Sequence, residues 1–338
     1  MQRKTKIIAT LGPASSTEDM IRRLAVAGVD IFRLNFSHGS HEIHKNSAKL
    51  IRKIEKELDR PIKIMMDLQG PKIRIGTFQN DSILLKNGDK FILDLNQDNG
   101  NKNRVMLPHP EIFDVLVTGA KLLLDDGKIS LKVIENTGKT LITEVIDGGI
   151  LSSKKGVNIP DSIIPISSLT EKDKKDIAIA DEIDANWVAI SFVQTANDMK
   201  FARTLVSSNV KLLAKIEKPS AVHDIDAIME ESDAIMVARG DLGVEVPFEK
   251  VPGIQKMLID KAIANNKPVA VATQMLESMI SCHIPTRAEV SDIAFAVSEG
   301  ASAVMLSAES ASGKFPVEAV KTMAKVIVQA EIDNIKIF

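Results

Sequence analysis

One cysteine stands among 338 residues, and a lone thiol at Cys282 excludes an internal disulfide. It is expected to be a small, buried or half-buried filler without chemistry of its own. A surplus of either charge is also missing. The 43 Lys and Arg against 45 Asp and Glu leave a net charge of −2, which gives no general attraction to nucleic acid or to an anionic membrane. Basic residues are therefore local tools. No apolar run approaches the ~20 residues of a membrane span. The opening MQRKTKIIATLG runs into a strand pattern without an apolar signal core, so a cytoplasmic protein is expected.

What the chain has is alternation. KIIATLG (6–12) is a short strand pattern closed by Gly-Pro, and the next apolar residues, Met20, Ile21 and Leu24, fall at helical spacing behind Ser15 and Glu18, which read as a capping box. The same order recurs along the chain. Strands are expected at about 6–11, 31–36, 62–67, 187–193, 211–217, 234–239, 268–273 and 302–307, and all but one are followed by a helix. Thr170 with Asp173 and Thr286 with Glu289 start two of those helices. Eight such units close a parallel (β/α)8 barrel, an α/β fold, from residues 1–70 and 160–338.

The interruption is residues 71–159. Alternating segments such as SILLKNGDKFILDL and KLLLDDGKISLKVIE are separated by Asn-Gly, Asp-Gly and Thr-Gly turns, with no helical period between them. They read as an inserted all-β module of antiparallel hairpins, expected to close into a small barrel.

In a parallel barrel the chemistry gathers at the C-terminal ends of the strands, where the βα loops converge. Six of the eight ends carry polar or charged groups: Arg33, Asn35 and Ser37; Asp67; Lys215 and Glu217; Asp241; Thr273; Ser307 and Glu309. The densest stretch is KLLAKIEKPSAVHDIDAIMEESDAIMVARGDLGVEVP (211–247), a strand, helix and strand. Lys215 and Glu217, two apart on a strand, share a face. Glu217 and Asp241 emerge at the same end of neighbouring strands, and two carboxylates completed by water and substrate oxygens suit Mg²⁺ or Mn²⁺. A strand-end ion pair without function gives the same local pattern. His41 and His44, three apart on a helix, lack a third ligand in register and read as surface or amphipathic-face residues.

The motifs NFSHG, DLQGPKIR, SKKGVNIP, AKIEK, MVARGDLGVE, ATQMLESM with PTRAEVSD, and MLSAES, in this order, resemble those of the pyruvate kinase family over nearly the whole chain. The resemblance implies phosphoryl transfer from phosphoenolpyruvate to ADP, giving pyruvate and ATP, in the barrel mouth with the β module as a lid. It implies Mg²⁺ (or Mn²⁺) on Glu217 and Asp241, and Lys215, Arg33 and Thr273 as catalytic residues. Substrate contacts would come from Arg33, Lys215, Gly240, Asp241, Thr273, Ser191, Phe192 and Ser307, with Phe192 equally readable as core. Nucleotide contacts would come from Asn35, Ser37, His38, Arg74 and Lys155, the last also consistent with a solvated basic turn. Protonation of the enolate is expected through water near Thr273 and Ser307.

Two departures accompany the resemblance. Many members bind K⁺ through groups matching Asn35, Ser37, Asp67 and the Leu68 carbonyl, with a glutamate nearby where this chain has Lys72. A tethered ammonium there repels a second cation, so activity is expected not to require K⁺. The family also usually continues into a further α/β domain that is not seen after Phe338, so no sugar-phosphate response is expected, and at most a homodimer through helices of the 252–300 region. Rival readings are a Mg²⁺-enolate lyase or aldolase on the same barrel, and a non-catalytic relative that only binds.

Overall fold

The computed structural model describes residues 3–160 and 162–337. Eight parallel strands close into one barrel: β1 (Lys6–Thr10), β2 (Ile31–Asn35), β3 (Lys63–Asp67), β4 (Trp187–Ile190), β5 (Lys211–Ile216), β6 (Ala234–Ala238), β7 (Val269–Ala272) and β8 (Ala303–Leu306). Their order is sequential, and β1 pairs with both β2 and β8. Sequential parallel pairing needs a crossover after every strand, and the helical period between strands supplies it.

Strand alternation sorts the side chains into two cores. Ile8, Met65, Ala189, Leu213, Met236, Ala270, Ala272 and Met305 face inward and fill the barrel. Alanines sit among methionines and larger aliphatic residues there, because eight inward rows leave no space for large side chains on every strand. The outward set, including Ile7, Phe32, Ile64, Ile190, Leu212, Ile235, Val271 and Val304, packs under the helices. Since Leu213 points inward, Lys215 and Glu217 on the same face do too, one layer higher each time. The apolar plug thus passes directly into a charged mouth.

Several local expectations are corrected. The first helix is Glu18–Ala27 and its cap is Thr17, which accepts from the Met20 amide at 3.3 Å; Ser15 instead takes the Gly12 amide at 3.0 Å. Thr170 and Thr286 do form capping boxes with Asp173 and Glu289. The crossover after β5 is two short helices, Pro219–His223 and Ile225–Glu231. The Asp224 carboxylate between them accepts the Ala196 amide at 2.8 Å. Cys282 is exposed, because it follows the short 3-10 turn Glu277–Ile280 in the loop after β7.

The inserted residues have their own apolar cluster, centred on Phe91, Leu93, Phe113, Leu122, Leu131 and Leu141. Their strands form a six-stranded sheet and a separate two-stranded one rather than a closed barrel. One pair, Lys90–Asp94 with Arg104–Met106, is parallel, and a helix spans Pro110–Val115, where hairpins alone were expected. Turn dipeptides mark reversals but not the partner each strand then finds, so the parallel pair left no local signal.

Candidate active site

Asp67 ends β3 opposite Asn35 of β2, and Arg33, two residues earlier, reaches across from the same face. The Arg33 guanidinium donates to Asp67 through Nε and to Thr10 Oγ1 through Nη1 at 3.0 Å. Lys215 Nζ lies 3.3 Å from Asp67 Oδ1, 2.8 Å from Glu217 Oε1, and donates to Ser191 Oγ at 2.7 Å. Ser191 in turn donates to the Leu68 carbonyl at 2.6 Å. Strands β2 to β5 therefore bring Arg33, Asp67, Ser191, Lys215 and Glu217 into one network.

Burial sets its electrostatics. Desolvation alone would lower the Lys215 ammonium, but the carboxylates of Asp67 and Glu217 outweigh it and raise its pKa, so Lys215 stays charged. Burial likewise pushes Asp67 up, and the opposing charges of Arg33 and Lys215 bring it below the ordinary carboxylate range. Glu217 goes the other way. Burial raises it to about 7, and the neighbouring charge of Asp241 adds to the rise against the pull of Lys215.

Asp241 sits in the first turn of the short helix Arg239–Glu245, which begins directly where β6 ends. Phe192, whose amide binds Glu217, lines one narrow cleft with Asp241, which puts the two acids on the same side of the mouth. The Glu217 Oε1 atom is buried and lacks a well-formed hydrogen bond despite the nearby Lys215. An under-satisfied buried carboxylate oxygen with a second acid near the same mouth fits a divalent cation, which would relieve both. Among the described residues no group of three or more His, Cys, Asp or Glu is placed to hold a metal, so further ligands would come from water or substrate.

Two loops are bent to aim backbone groups. Phe192 has φ +55, a conformation rare outside glycine, and its amide donates to Glu217 Oε2 at 2.7 Å. Gly70 (φ +66) leaves room for this turn, since a Cβ there would lie 2.8 Å from the Phe192 ring. The Asp173 carboxylate holds the same loop through the Gln69 and Gly70 amides, both at 3.1 Å. Thr273 has φ +73, and its Oγ1 accepts the Gly240 amide at 2.7 Å. The Gly240 amide is thus already engaged, while the Thr273 hydroxyl proton remains free to donate.

A cavity of about 600 Å³ opens beside this network. It is lined by Arg33, Asn35, His38 and Ser307 of the expected residues, and by Thr10, Gly12, Pro13, Ser16, Ile43 and His44, which sequence reasoning missed. The Gly-Pro that closes β1 was a usable signal, because β1 opens onto the same mouth as the other seven strands. His44 is buried on the inner face of its helix. It stacks on Phe36 at 4.0 Å and hydrogen-bonds the His38 carbonyl at 2.9 Å, while His41 pairs with Asp176, so the two do not form a metal pair.

The remaining expected residues lie at the edges. Ser37 is exposed, its amide held by Asn35 Oδ1. Arg74 and Lys155 belong to the inserted module, Arg74 donating to the Lys154 carbonyl at 2.8 Å and Lys155 paired with Asp125 at 2.7 Å. Lys72 is exposed beside Gly156 and lines a narrow cleft with Phe192, Lys218 and Asp241.

A closed (β/α)8 barrel with paired acids and buried cations at its mouth defines a barrel enzyme acting on small anionic substrates. The family model for the pyruvate kinase barrel domain matches residues 2–320. A pyruvate kinase of Methylorubrum extorquens is 51% identical over 98% of this chain and 69% of its own length. One of Buchnera aphidicola from Acyrthosiphon pisum is 50% identical over 97% of this chain and 70% of its own. The solved structure of a pyruvate kinase from Cryptosporidium parvum superposes with a TM-score of 0.95 at 36% identity, covering 98% of this chain and 70% of that one. The chain belongs to the pyruvate kinase family: it is a glycolytic phosphotransferase, and its reaction is phosphoryl transfer between phosphoenolpyruvate and ADP.

The metal-free protein has a pH signature. The folded state keeps the Glu217 proton to about pH 7, whereas the unfolded chain loses it near the ordinary glutamate value of 4.5. Over that interval the folded state binds more protons, so stability falls as pH rises. Melting in chelator is expected to drop across this window, and Glu217→Gln to flatten the slope; equal slopes for both proteins would refute the raised value.

Proposed function

We propose that the roles in this reaction divide as follows. The Lys215 ammonium stabilises the charge that develops on the transferring phosphoryl group and on the enolate oxygen. Arg33 orients the phosphoryl group. The Thr273 hydroxyl, oriented by the Gly240 amide, and the backbone amide of Asp241 hold the substrate carboxylate, with Ser191, Phe192 and Ser307 walling the pocket. Asn35 and His38 in the adjoining cavity, with the exposed Ser37 between them, receive the nucleotide, and Arg74 and Lys155 approach it from residues 71–159, which act as a lid. Glu217 and Asp241 would hold Mg²⁺ or Mn²⁺, which neutralises charge on substrate oxygens when bound. The observation that carries this reading is the contact of Lys215 with Glu217, Asp67 and Ser191 at the inner face of the mouth. A coupled assay with Mg²⁺, ADP and phosphoenolpyruvate tests it. Turnover that needs no ADP would favour the lyase reading, and no ATP at all the binding-only reading.

We further propose that K⁺ is not required. Asp67, one of the family's K⁺ groups, is already neutralised by Arg33 and Lys215, and the Leu68 carbonyl already accepts from Ser191. Lys72, exposed beside Gly156, brings a tethered ammonium to the cleft it lines with Phe192 and Asp241. With tetramethylammonium as the only other monovalent cation, adding K⁺ is expected to change kcat less than about twofold, since a site already neutralised offers a second cation little attraction. Strong activation would refute this.

The protein is proposed to be cytoplasmic; among the described residues no helix is long and apolar enough to cross a membrane. A homodimer through the 252–300 region is supported by Phe295 and Ile284, 51% and 64% exposed. In sedimentation Phe295→Glu is expected to shift the protein toward monomer, and a monomeric wild type would dismiss the dimer.

A further inference from the structure

A second buried charge pair lies just outside the mouth. Lys218 and Glu245 are only 7% and 5% exposed, and Lys218 Nζ is 2.9 Å from Glu245 Oε1. Asn158 Nδ2 donates to the same oxygen at 2.8 Å. Three segments meet at this atom. Lys218 directly follows Glu217, Glu245 ends the helix that carries Asp241, and Asn158 lies in the strand Val157–Asn158 by which the inserted module returns to the barrel. The module approaches the same helix a second time, at Gly127, where an added Cβ would come within 3.6 Å of Val244 Cγ1.

An ion pair this deeply buried adds little net stability over apolar residues of the same size. Its arrangement is better explained by what it holds. Glu245 Oε2 is buried without a hydrogen-bond partner, so the Asn158 amide is the neutral donor on which the carboxylate relies. Behind Asn158 the chain is stiffly connected: Val157 and Asn158 pair with Leu124 and Leu123, the Ile75 amide donates to the Lys155 carbonyl at 3.0 Å, and Arg74 bridges to Gly156. A displacement of Asn158 is therefore carried to Arg74 and Lys155 together.

We propose that Glu245, oriented by Lys218, is a positioning residue: through Asn158 it fixes the lid against the loops of Glu217 and Asp241, and so sets where Arg74 and Lys155 stand over the nucleotide. This rests on residues 71–159 being a lid over the mouth. Asn158→Ala removes the lid's donor and leaves the buried pair intact. The variant is expected to raise the KM for ADP roughly tenfold, the scale of a lost hydrogen bond to a charged group. Because the lost contact positions nucleotide rather than reacting atoms, kcat should stay within about twofold. Amide exchange should quicken at 121–125 and 156–158 by a similar factor, with the melting temperature lowered by only a few degrees, the scale of one lost hydrogen bond. Asn158→Asp sets a like charge against Glu245 and should exceed the alanine effect. Unchanged exchange in these segments, an aspartate milder than the alanine, or a joint loss of kcat, KM and melting temperature would overturn the proposal. Exchange is read without substrates, so its outcome stands apart from a wild-type protein that fails to make ATP, which would instead sink the assigned roles.

Discussion

Lys215→Met is expected to lower kcat by roughly 10³-fold or more while the fold and nucleotide binding persist. Methionine keeps the length of the stem inside the barrel and removes only the ammonium, the one group here in contact with Asp67, Glu217 and Ser191 at once. Breaking a buried pair by deleting one partner ordinarily costs ~3–5 kcal/mol. The loss should be smaller in this case, because Asp67 keeps Arg33 and Glu217, already raised to about 7, takes up a proton instead of staying charged. The coupled assay gives kcat, and circular dichroism with nucleotide titration checks the fold. A folded variant that turns over within tenfold of wild type would remove Lys215 from the chemistry.

Glu217→Gln is expected to weaken Mn²⁺ binding by roughly 100-fold or more, above the 10–100-fold typical of losing a supporting partner behind a ligand. kcat/KM should fall with it. The amide keeps the shape of the side chain and an acceptor for the Phe192 N–H, so the strained turn at φ +55 is preserved and a metal effect is separable from a structural one. In the proposed site Asp241 alone would then face the cation, and one carboxylate would leave more of the coordination sphere to exchangeable water. Calorimetry or Mn²⁺ resonance measures the affinity directly. Unaltered affinity in a folded variant would place the metal elsewhere.

The site was legible in the sequence as far as strand ends are legible. Arg33, Asp67, Lys215 and Glu217 meet because each lies at the C-terminal end of a strand with its side chain on the inner face, and period-two alternation reports both facts without a structure. The outlier backbone at Phe192 and Thr273 was not legible, since neither residue type announces a left-handed turn. Nor was the division of the inserted residues into two sheets with a parallel pair.

By itself, then, the sequence determined the barrel, the inward direction of its mouth residues and the family to which they belong, because these follow from local periodicity and contiguous motifs. Only the tertiary structure decided which charges neutralise one another. Asp67 is held between Arg33 and Lys215, Glu217 is left short of a partner beside Asp241, and Asn158 is tied to Glu245 across 87 positions of chain. Electrostatic interaction depends on separation in space and on exclusion of water, and neither is a property of neighbouring letters.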